Sequence, residues 1–169
     1  VHAAFLKRTL DIVEAYGVDI ADTNVHLARQ QGVLASVCDL NLERLPFNEH
    51  FFDAVFAGEL LEHVVDPDHL LQEIRRTLNK DGVLVLTTPN LASWYNRILL
   101  LLGWQPLDTG TSFYHDVGRP RFLKLGEGGT DHLRLYTLGA LRELLIVNGL
   151  RPVDVAASPV RERERDDLP

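Results

Sequence analysis

The chain of 169 residues is long enough to build one domain around its own hydrophobic core. Its formal net charge of -7 argues against a general nucleic-acid-binding protein, which carries a basic face. The single cysteine excludes an internal disulfide framework, and no apolar run reaches the roughly 20 residues of a membrane-spanning helix, so we expect a cytoplasmic protein without a membrane span.

The first quarter of the chain alternates helical and strand patterns. An apolar stripe favours a helix over residues 2–10, and a strand is predicted to end at Gly17-Val18-Asp19-Ile20. A short helix then runs to about Gln31, and residues 33–37 form the next strand, which ends at Cys38-Asp39.

The stretch from Asp53 to Asn90 is typical of a strand, a helix, a turn and a second strand. Residues 54–57 and 83–86 are apolar runs, as in strands buried on both faces. Asp66-Pro67 marks the helix start, because the aspartate can accept from free backbone N–H groups and the proline has none to leave unpaired. Residues 79–82 have the composition of a turn. The unit predicts parallel strands with ligands bound beyond their carboxyl ends.

The second half of the chain loses this alternation. A broadly apolar helix is predicted over residues 91–104. Residues 105–131 have the length and composition of a lid, a binding loop or a partly disordered segment. Residues 137–149 favour a helix that begins at a threonine cap and ends at Asn-Gly, and residues 150–156 favour a strand. Residues 159–169 are predicted to be a charged C-terminal tail.

This order of elements predicts an α/β fold with a doubly wound, mostly parallel Rossmann-like sheet and helices on both faces. We expect one domain over residues 1–158, in which residues 91–136 form an insertion that covers the substrate.

Two carboxylates stand where predicted strands end. Asp19 could accept hydrogen bonds from two ribose hydroxyls, and Asp39 could accept from an adenine amino group. Each could equally be a helix-capping or turn aspartate. Their spacing of about 20 residues, continued by Gly58-Glu59, is the size of one βα unit and is more informative than either residue alone.

The order of several short motifs resembles the class I S-adenosylmethionine-dependent methyltransferases of the small-molecule type. The likeness covers most of residues 15–156. The matching pieces are Gly17-Val18-Asp19-Ile20 with Asn24 to Arg29, Cys38-Asp39, Leu45-Pro46-Phe47, Phe52-Asp53-Ala54-Val55, Leu61-Glu62-His63-Val64 with Asp66-Pro67, Leu78 to Gly82 with the strand to Asn90, and His132 to Tyr136 with the helix to Leu150.

The resemblance implies S-adenosylmethionine as the cofactor, S-adenosylhomocysteine as its product and a small molecule as the methyl acceptor. Asp19 would hold the ribose hydroxyls, and Ile20 would pack on the adenine. Cys38, Asp39 and Leu40 would lie at the adenine ring, with Asp39 at its amino group. Gly58, Glu59 and Leu60 would border the methionine end and the methyl group.

One feature of that family is missing from the sequence. Its first strand and the glycine-rich loop after it should precede a helix like that over residues 2–10, and the chain starts at Val1 without a methionine. We therefore expect that the front of the domain lies ahead of Val1.

Methyl transfer from a sulfonium needs alignment of the acceptor, and a base helps when the acceptor is a hydroxyl or a protonated amine. The candidate catalytic residues are His132, His63 and Glu59, although a backbone-bonded histidine is an equal reading for His63. The candidate substrate residues are Arg134, Asn90 and His115.

A metal site is not predicted. His63 and His69 lie near Asp66 and Asp68, but capping of the helix explains both aspartates. Two other functions stay open: a non-catalytic methyltransferase-like module that acts by association, and a dinucleotide-dependent oxidoreductase, in which Asp19 would also bind a ribose. The apolar side of the helix over residues 91–104 leaves a homodimer as an option.

Overall fold

The computed structural model describes residues 14–112, 114–115, 117–120 and 132–157. The predicted helix over residues 2–10 and the charged tail over residues 159–169 lie outside these ranges. The elements in chain order are β1 (Tyr16–Asp19), α1 (Asp22–Gln30), β2 (Leu34–Val37), β3 (Phe52–Gly58), α2 (Pro67–Thr77), β4 (Leu78–Thr87), α3 (Trp94–Leu101) and α4 (Leu138–Val147).

The strands pair in parallel, as the sequence predicts. In the first pair, Tyr16 to Asp19 of β1 lie opposite Leu34 to Val37 of β2. In the second pair, Ala54 to Gly58 of β3 lie opposite Val83 to Thr87 of β4. The α/β organisation is therefore confirmed, and within the described residues it consists of two separate two-stranded ladders rather than one continuous sheet.

Helix α2 follows the predicted cap and apolar stripe. The Asp66 carboxylate accepts from the backbone N–H of His69 at 3.0 Å, and Pro67 is the first helical residue. Leu71 and Ile74 are buried on the side that packs against the main core, together with Ala57 of β3. This packing holds the β3–β4 ladder against one face of the helix.

The prediction that β3 and β4 are buried on both faces is wrong. Ala57 is only 2% exposed, whereas Phe56, Val83 and Val85 are each about half exposed. Strand side chains alternate between the two faces, and among the described residues α2 covers one face of this ladder. The apolar run therefore indicates a strand here, but it does not show whether one face or both faces of that strand are covered by other elements.

The predicted turn at residues 79–82 is instead an irregularity within β4. Leu78 already pairs with Phe52, and the ladder resumes at Ala54 opposite Val83. The extra residues between these pairs bulge out of register, and the Asn79 amide donates to the Asp53 carboxylate at 2.7 Å. Turn-forming residues also suit bulges, because both need irregular backbone.

In the C-terminal part, the structure contains the two helices predicted from the sequence, but it lacks the predicted strand. Helix α3 is shorter than the predicted 91–104, and the Thr137 hydroxyl caps α4 by accepting from Ala140 N–H at 3.2 Å. Residues 150–157 have no regular structure, so the predicted strand over 150–156 is wrong. Val153 is 78% exposed, and no described strand pairs with this segment.

The helices of the described residues are too short or too polar to span a lipid bilayer.

A buried ion pair fastens the loop before β3 to α2. The Glu73 carboxylate, on a residue 7% exposed, accepts from the Leu45 backbone N–H at 3.0 Å and from Arg76 Nη2 at 2.7 Å. Arg76 also donates to the carbonyl oxygens of Leu45 and Phe47. The Arg76 hydrogen bond, followed by those from Leu45 and Arg44, lowers the pKa of Glu73 to about 2 despite its burial.

Candidate cofactor and acceptor site

The tips of β1 and β2 lie side by side. The Cys38 backbone N–H donates to the Asp19 carbonyl at 3.1 Å. One Asp19 carboxylate oxygen accepts from Ala21 N–H at 2.8 Å, and the other accepts from the Asn24 amide at 3.1 Å. The carboxylate thus stabilises the turn before α1, as in the turn interpretation of Asp19, whereas α1 has no side-chain cap at its N-cap residue, Ala21. Each oxygen can accept a further hydrogen bond, so a ribose hydroxyl remains compatible with this geometry.

Ile20 offers an apolar surface beside that carboxylate. Its side chain follows the tip of β1 and is 66% exposed. An exposed apolar side chain next to a hydrogen-bond acceptor suits a ligand that carries a flat ring and a sugar. The roles of Asp19 at a ribose and Ile20 at an adenine stay predictions from the sequence.

The tip of β2 is organised by local hydrogen bonds. Asp39 accepts from Asn41 N–H at 2.9 Å, and its own N–H donates to Glu43 at 2.8 Å. Cys38 is 2% exposed, and burial, together with Glu43, raises the pKa of its thiol. A thiol held protonated in this way is a packing residue rather than a nucleophile. Leu40 is partly buried against the main core.

The tips of β3 and β4 are tied together by Glu59 and Thr87. The Glu59 backbone N–H donates to the Thr87 carbonyl at 3.0 Å, and the Thr87 hydroxyl donates to the Glu59 carboxylate at 2.8 Å. Glu59 has a φ of 49°, in the left-handed region, which costs an L-residue about 1–2 kcal/mol. At Gly58 an added Cβ would overlap the ring of Phe56, so a larger residue here would require that ring to move. Leu60 packs partly against the core.

Glu62, His63 and His132 form a cluster just beyond the tip of β3. One ligand atom from each, a carboxylate oxygen or a ring nitrogen, lies within 4.8 Å of the other two. The two imidazole rings meet edge to face, with centroids 4.8 Å apart. The Leu133 backbone N–H donates to the Glu62 carbonyl at 2.8 Å and fastens the second segment to the first. Two predicted catalytic residues, His63 and His132, are thus brought together.

Glu62 received no role from the sequence, yet it is the acid of the cluster and its most buried member. It is fully buried, and its Oε2 accepts from the Thr88 hydroxyl at 2.9 Å. Burial raises the pKa of this carboxyl. In the sequence, the one sign of a role for Glu62 is its position as a single acid among the mostly apolar residues Leu60 to Val65.

Three loops meet around this cluster. The Val65 backbone N–H donates to the Asn41 amide oxygen at 2.7 Å, which joins the tip of β2 to the loop after β3. The Arg134 guanidinium donates to the Val65 carbonyl at 2.9 Å, which adds the segment before α4. Candidate cofactor residues and candidate acceptor residues therefore belong to one connected set of loops.

The remaining predicted site residues are placed by local contacts. The Asn90 side chain accepts from Ala92 N–H at 2.9 Å, and its backbone bridges to Tyr136. His115 is exposed, and its backbone N–H donates to the Ser112 hydroxyl at 3.2 Å. Neither contact indicates a ligand, so a substrate role for Asn90, His115 or Arg134 stays a prediction.

The acids near the start of α2 have different partners. Asp66 caps the helix, as predicted. Asp68 instead accepts from the Asn148 amide at 2.7 Å and joins α2 to the end of α4. The His69 ring nitrogen lies 3.1 Å from the Glu43 carbonyl. These three side chains hold loops and helices together.

A cavity of about 430 Å³ lies elsewhere, beside the amino-terminal halves of β1 and β2. Tyr16, Arg29, Phe47 and Phe51 are among its lining residues. Since ligands of parallel α/β sheets bind beyond the carboxyl ends of strands, this cavity is at the wrong end for the predicted cofactor.

The family model and the relatives that match this chain are all methyltransferases. The sequence model described as "Methyltransferase domain" matches residues 2–86. A ubiquinone biosynthesis O-methyltransferase of Haemophilus ducreyi is 34% identical over 83 residues, which are 44% of this chain and 35% of that protein. The ubiquinone/menaquinone biosynthesis C-methyltransferase UbiE of Paraburkholderia xenovorans is 24% identical over 163 residues, 93% of this chain and 66% of that protein.

Solved structures give the same fold. A SAM-dependent methyltransferase from Thermotoga maritima superposes with a TM-score of 0.59 at 20% identity, over 85% of this chain and 56% of that one. At this identity the likeness establishes the fold alone. The chain spans about a third of the length of the Haemophilus ducreyi relative.

Proposed function

This chain belongs to the methyltransferase domain family, the class I S-adenosylmethionine-dependent methyltransferases, and from that membership we propose that it transfers a methyl group from S-adenosylmethionine to a small molecule. The observation that carries the proposal is the family match over residues 2–86, which includes the strand tips with Asp19, Asp39 and Gly58. Neither a dinucleotide-dependent oxidoreductase nor a non-catalytic module has comparable support.

In this proposal the strand tips hold the cofactor. Asp19 accepts from the ribose hydroxyls with the lone pairs that Ala21 and Asn24 leave over, and Ile20 covers one face of the adenine. The tip of β2 lies beside the base, with Cys38, Asp39 and Leu40. The tip of β3 borders the methionine end, with Gly58, Glu59 and Leu60. The bound cofactor supplies a methyl group on a sulfonium, and the protein aligns the acceptor for in-line displacement.

The acceptor end of the site is the cluster of Glu62, His63 and His132. There the histidines, with Glu59 on the neighbouring tip, lower the cost of removing a proton from a hydroxyl or amine acceptor. The proposed insertion over residues 91–136 supports this position, because His132 and Asp108 both belong to it and lie in hydrogen-bond contact with each other at 2.7 Å. Residues 1–158 remain the proposed domain.

The acceptor class that we propose to test first is a hydroxylated aromatic ring. The named relatives include both an O-methyltransferase and a C-methyltransferase of quinone biosynthesis. A deprotonated hydroxyl on an aromatic ring can itself accept a methyl group on oxygen, and it makes the neighbouring ring carbons more nucleophilic toward a methyl group. A cytoplasmic location and a homodimer stay predictions from the sequence.

Calorimetry with S-adenosylhomocysteine and with NAD tests the proposal. We expect binding of S-adenosylhomocysteine and none of NAD. Asp19→Ala should weaken that binding by about 1–3 kcal/mol, the scale of a lost acceptor for buried hydroxyls. Asp53→Ala is the matched control, because it also removes an aspartate that accepts from an asparagine side chain, but near the opposite end of a strand.

Each other outcome points to a different function. Binding of NAD alone would favour the oxidoreductase. No measurable binding of either ligand would favour the non-catalytic module that acts by association. Equal losses of affinity in Asp19→Ala and Asp53→Ala would remove Asp19 from the site.

A further inference from the structure

We propose that Glu62, His63 and His132 bind a divalent transition-metal ion of the zinc type at the acceptor end of the domain. The three side chains offer one carboxylate oxygen and two imidazole nitrogens. Two nitrogens and one oxygen are a donor set that zinc and its neighbours accept, and three protein ligands leave one coordination position open for a water or a substrate.

The geometry needs only a small contraction. The three ligand atoms lie within 4.8 Å of one another. Around a tetrahedral ion with bonds of about 2.0–2.1 Å, ligand atoms are roughly 3.4 Å apart. The side chains must therefore close by about 1.4 Å at most, which small changes in side-chain torsion angles can supply.

A second observation comes from the buried carboxylate itself. Glu62 is fully buried, and among the described residues its Oε1 has no hydrogen-bond partner. Leaving such a buried acceptor unsatisfied is unfavourable, and more so when the group is charged. Its other oxygen is held by the Thr88 hydroxyl, so Oε1 is the atom left for a cation. A positive ion within the cluster would remove this cost.

The orientation of His132 also suits a metal ligand. Its Nδ1 lies 2.7 Å from the Asp108 carbonyl, an atom that can only accept, so Nδ1 carries the proton. In the tautomer with its proton on Nδ1, the ring nitrogen that can ligate a metal is Nε2. Metal-binding histidines are commonly fixed in this way by a carbonyl or carboxylate on the other nitrogen, and hydrogen-bonded carboxylates commonly accompany them.

A metal ion here would give the cluster a defined chemical task, an assignment that rests on the proposed function. In the open position the ion would bind the oxygen of an acceptor hydroxyl and favour loss of its proton to solvent. The oxygen–carbon bond to the methyl group would then form as the sulfur–carbon bond of the cofactor breaks. The substrate class that follows is a small molecule with a metal-binding hydroxyl.

Metal titration of chelator-stripped protein without affinity-tag histidines tests the site. We expect one equivalent of Zn²⁺ by calorimetry, and visible absorption of the tetrahedral type when Co²⁺ is used instead. Glu62→Gln, which keeps the side-chain shape, and His132→Gln should each weaken Zn²⁺ binding at least tenfold. His26→Gln is the control, because His26 is an exposed histidine on α1 bonded to Gln30.

Two results would overturn the metal site: binding that is weak and far from one equivalent, or Zn²⁺ affinities of Glu62→Gln and His132→Gln equal to that of the parent. Circular dichroism of each variant shows that it is folded before its affinity is compared. S-adenosylhomocysteine binding by the same stripped protein separates this inference from the proposed function. Cofactor binding without a metal equivalent refutes the metal site alone, and a metal equivalent without cofactor binding supports it while refuting the methyltransferase proposal.

Discussion

The buried Glu73 carboxylate predicts how the stability of this protein depends on pH. Its pKa of about 2, against an ordinary 4.5, is a difference of about 2.5 units. At about 1.4 kcal/mol per unit, the ionised carboxylate contributes about 3 kcal/mol to the free energy of unfolding. Because the folded-state pKa is the lower one, this contribution is complete above about pH 5 and is lost as the pH falls toward 2.

Urea unfolding of the parent and of Glu73→Gln measures this contribution. We expect the variant to be about 3 kcal/mol less stable at pH 7, with about 2 kcal/mol of that difference gone at pH 3. Glu143→Gln, on the exposed side of α4, is the control and should follow the parent at both values. The reasoning is refuted if Glu73→Gln and the parent lose stability in parallel between pH 7 and pH 3.

Two further substitutions test the contacts that fix α2. Asp66→Ala removes the cap on the His69 backbone N–H and should lower the free energy of unfolding by about 1 kcal/mol, and Asp66→Asn should recover most of it; equal losses in the two variants would contradict a capping role. Asn148→Ala removes a buried amide that donates to Asp68 and accepts from Gln72, so thermal unfolding should report a loss of about 2 kcal/mol. A melting temperature unchanged from the parent would show that this link between α2 and α4 is dispensable.

The parts of the fold that the sequence predicts well are those decided by neighbouring residues. The start of α2 follows from Asp66-Pro67, because a cap and a proline act within one helical turn. The exposure of the Phe56 and Val83 side chains could not be predicted from the sequence of their own strands. Which face of a strand is covered depends on elements far along the chain, so an apolar run alone cannot predict it.

The residues of the candidate site also fall into those that local sequence predicts and those that only the fold brings together. Strand ends with Asp19 and Asp39 are local features, and the spacing between them indicates their side-by-side position at one edge. Glu62 and His132 are about 70 residues apart in the sequence, and only the folded loops bring their side chains together. Glu62 shows why the site was harder to predict than the fold: a single acid in an apolar run has no periodicity to mark it.

A crystal structure of the protein with S-adenosylhomocysteine tests the central claim most directly. The account predicts the ribose hydroxyls at the Asp19 carboxylate, the adenine against Ile20, and the sulfur beyond Gly58. Density for the ligand in the cavity lined by Tyr16 and Arg29, at the opposite end of the strands, would contradict it.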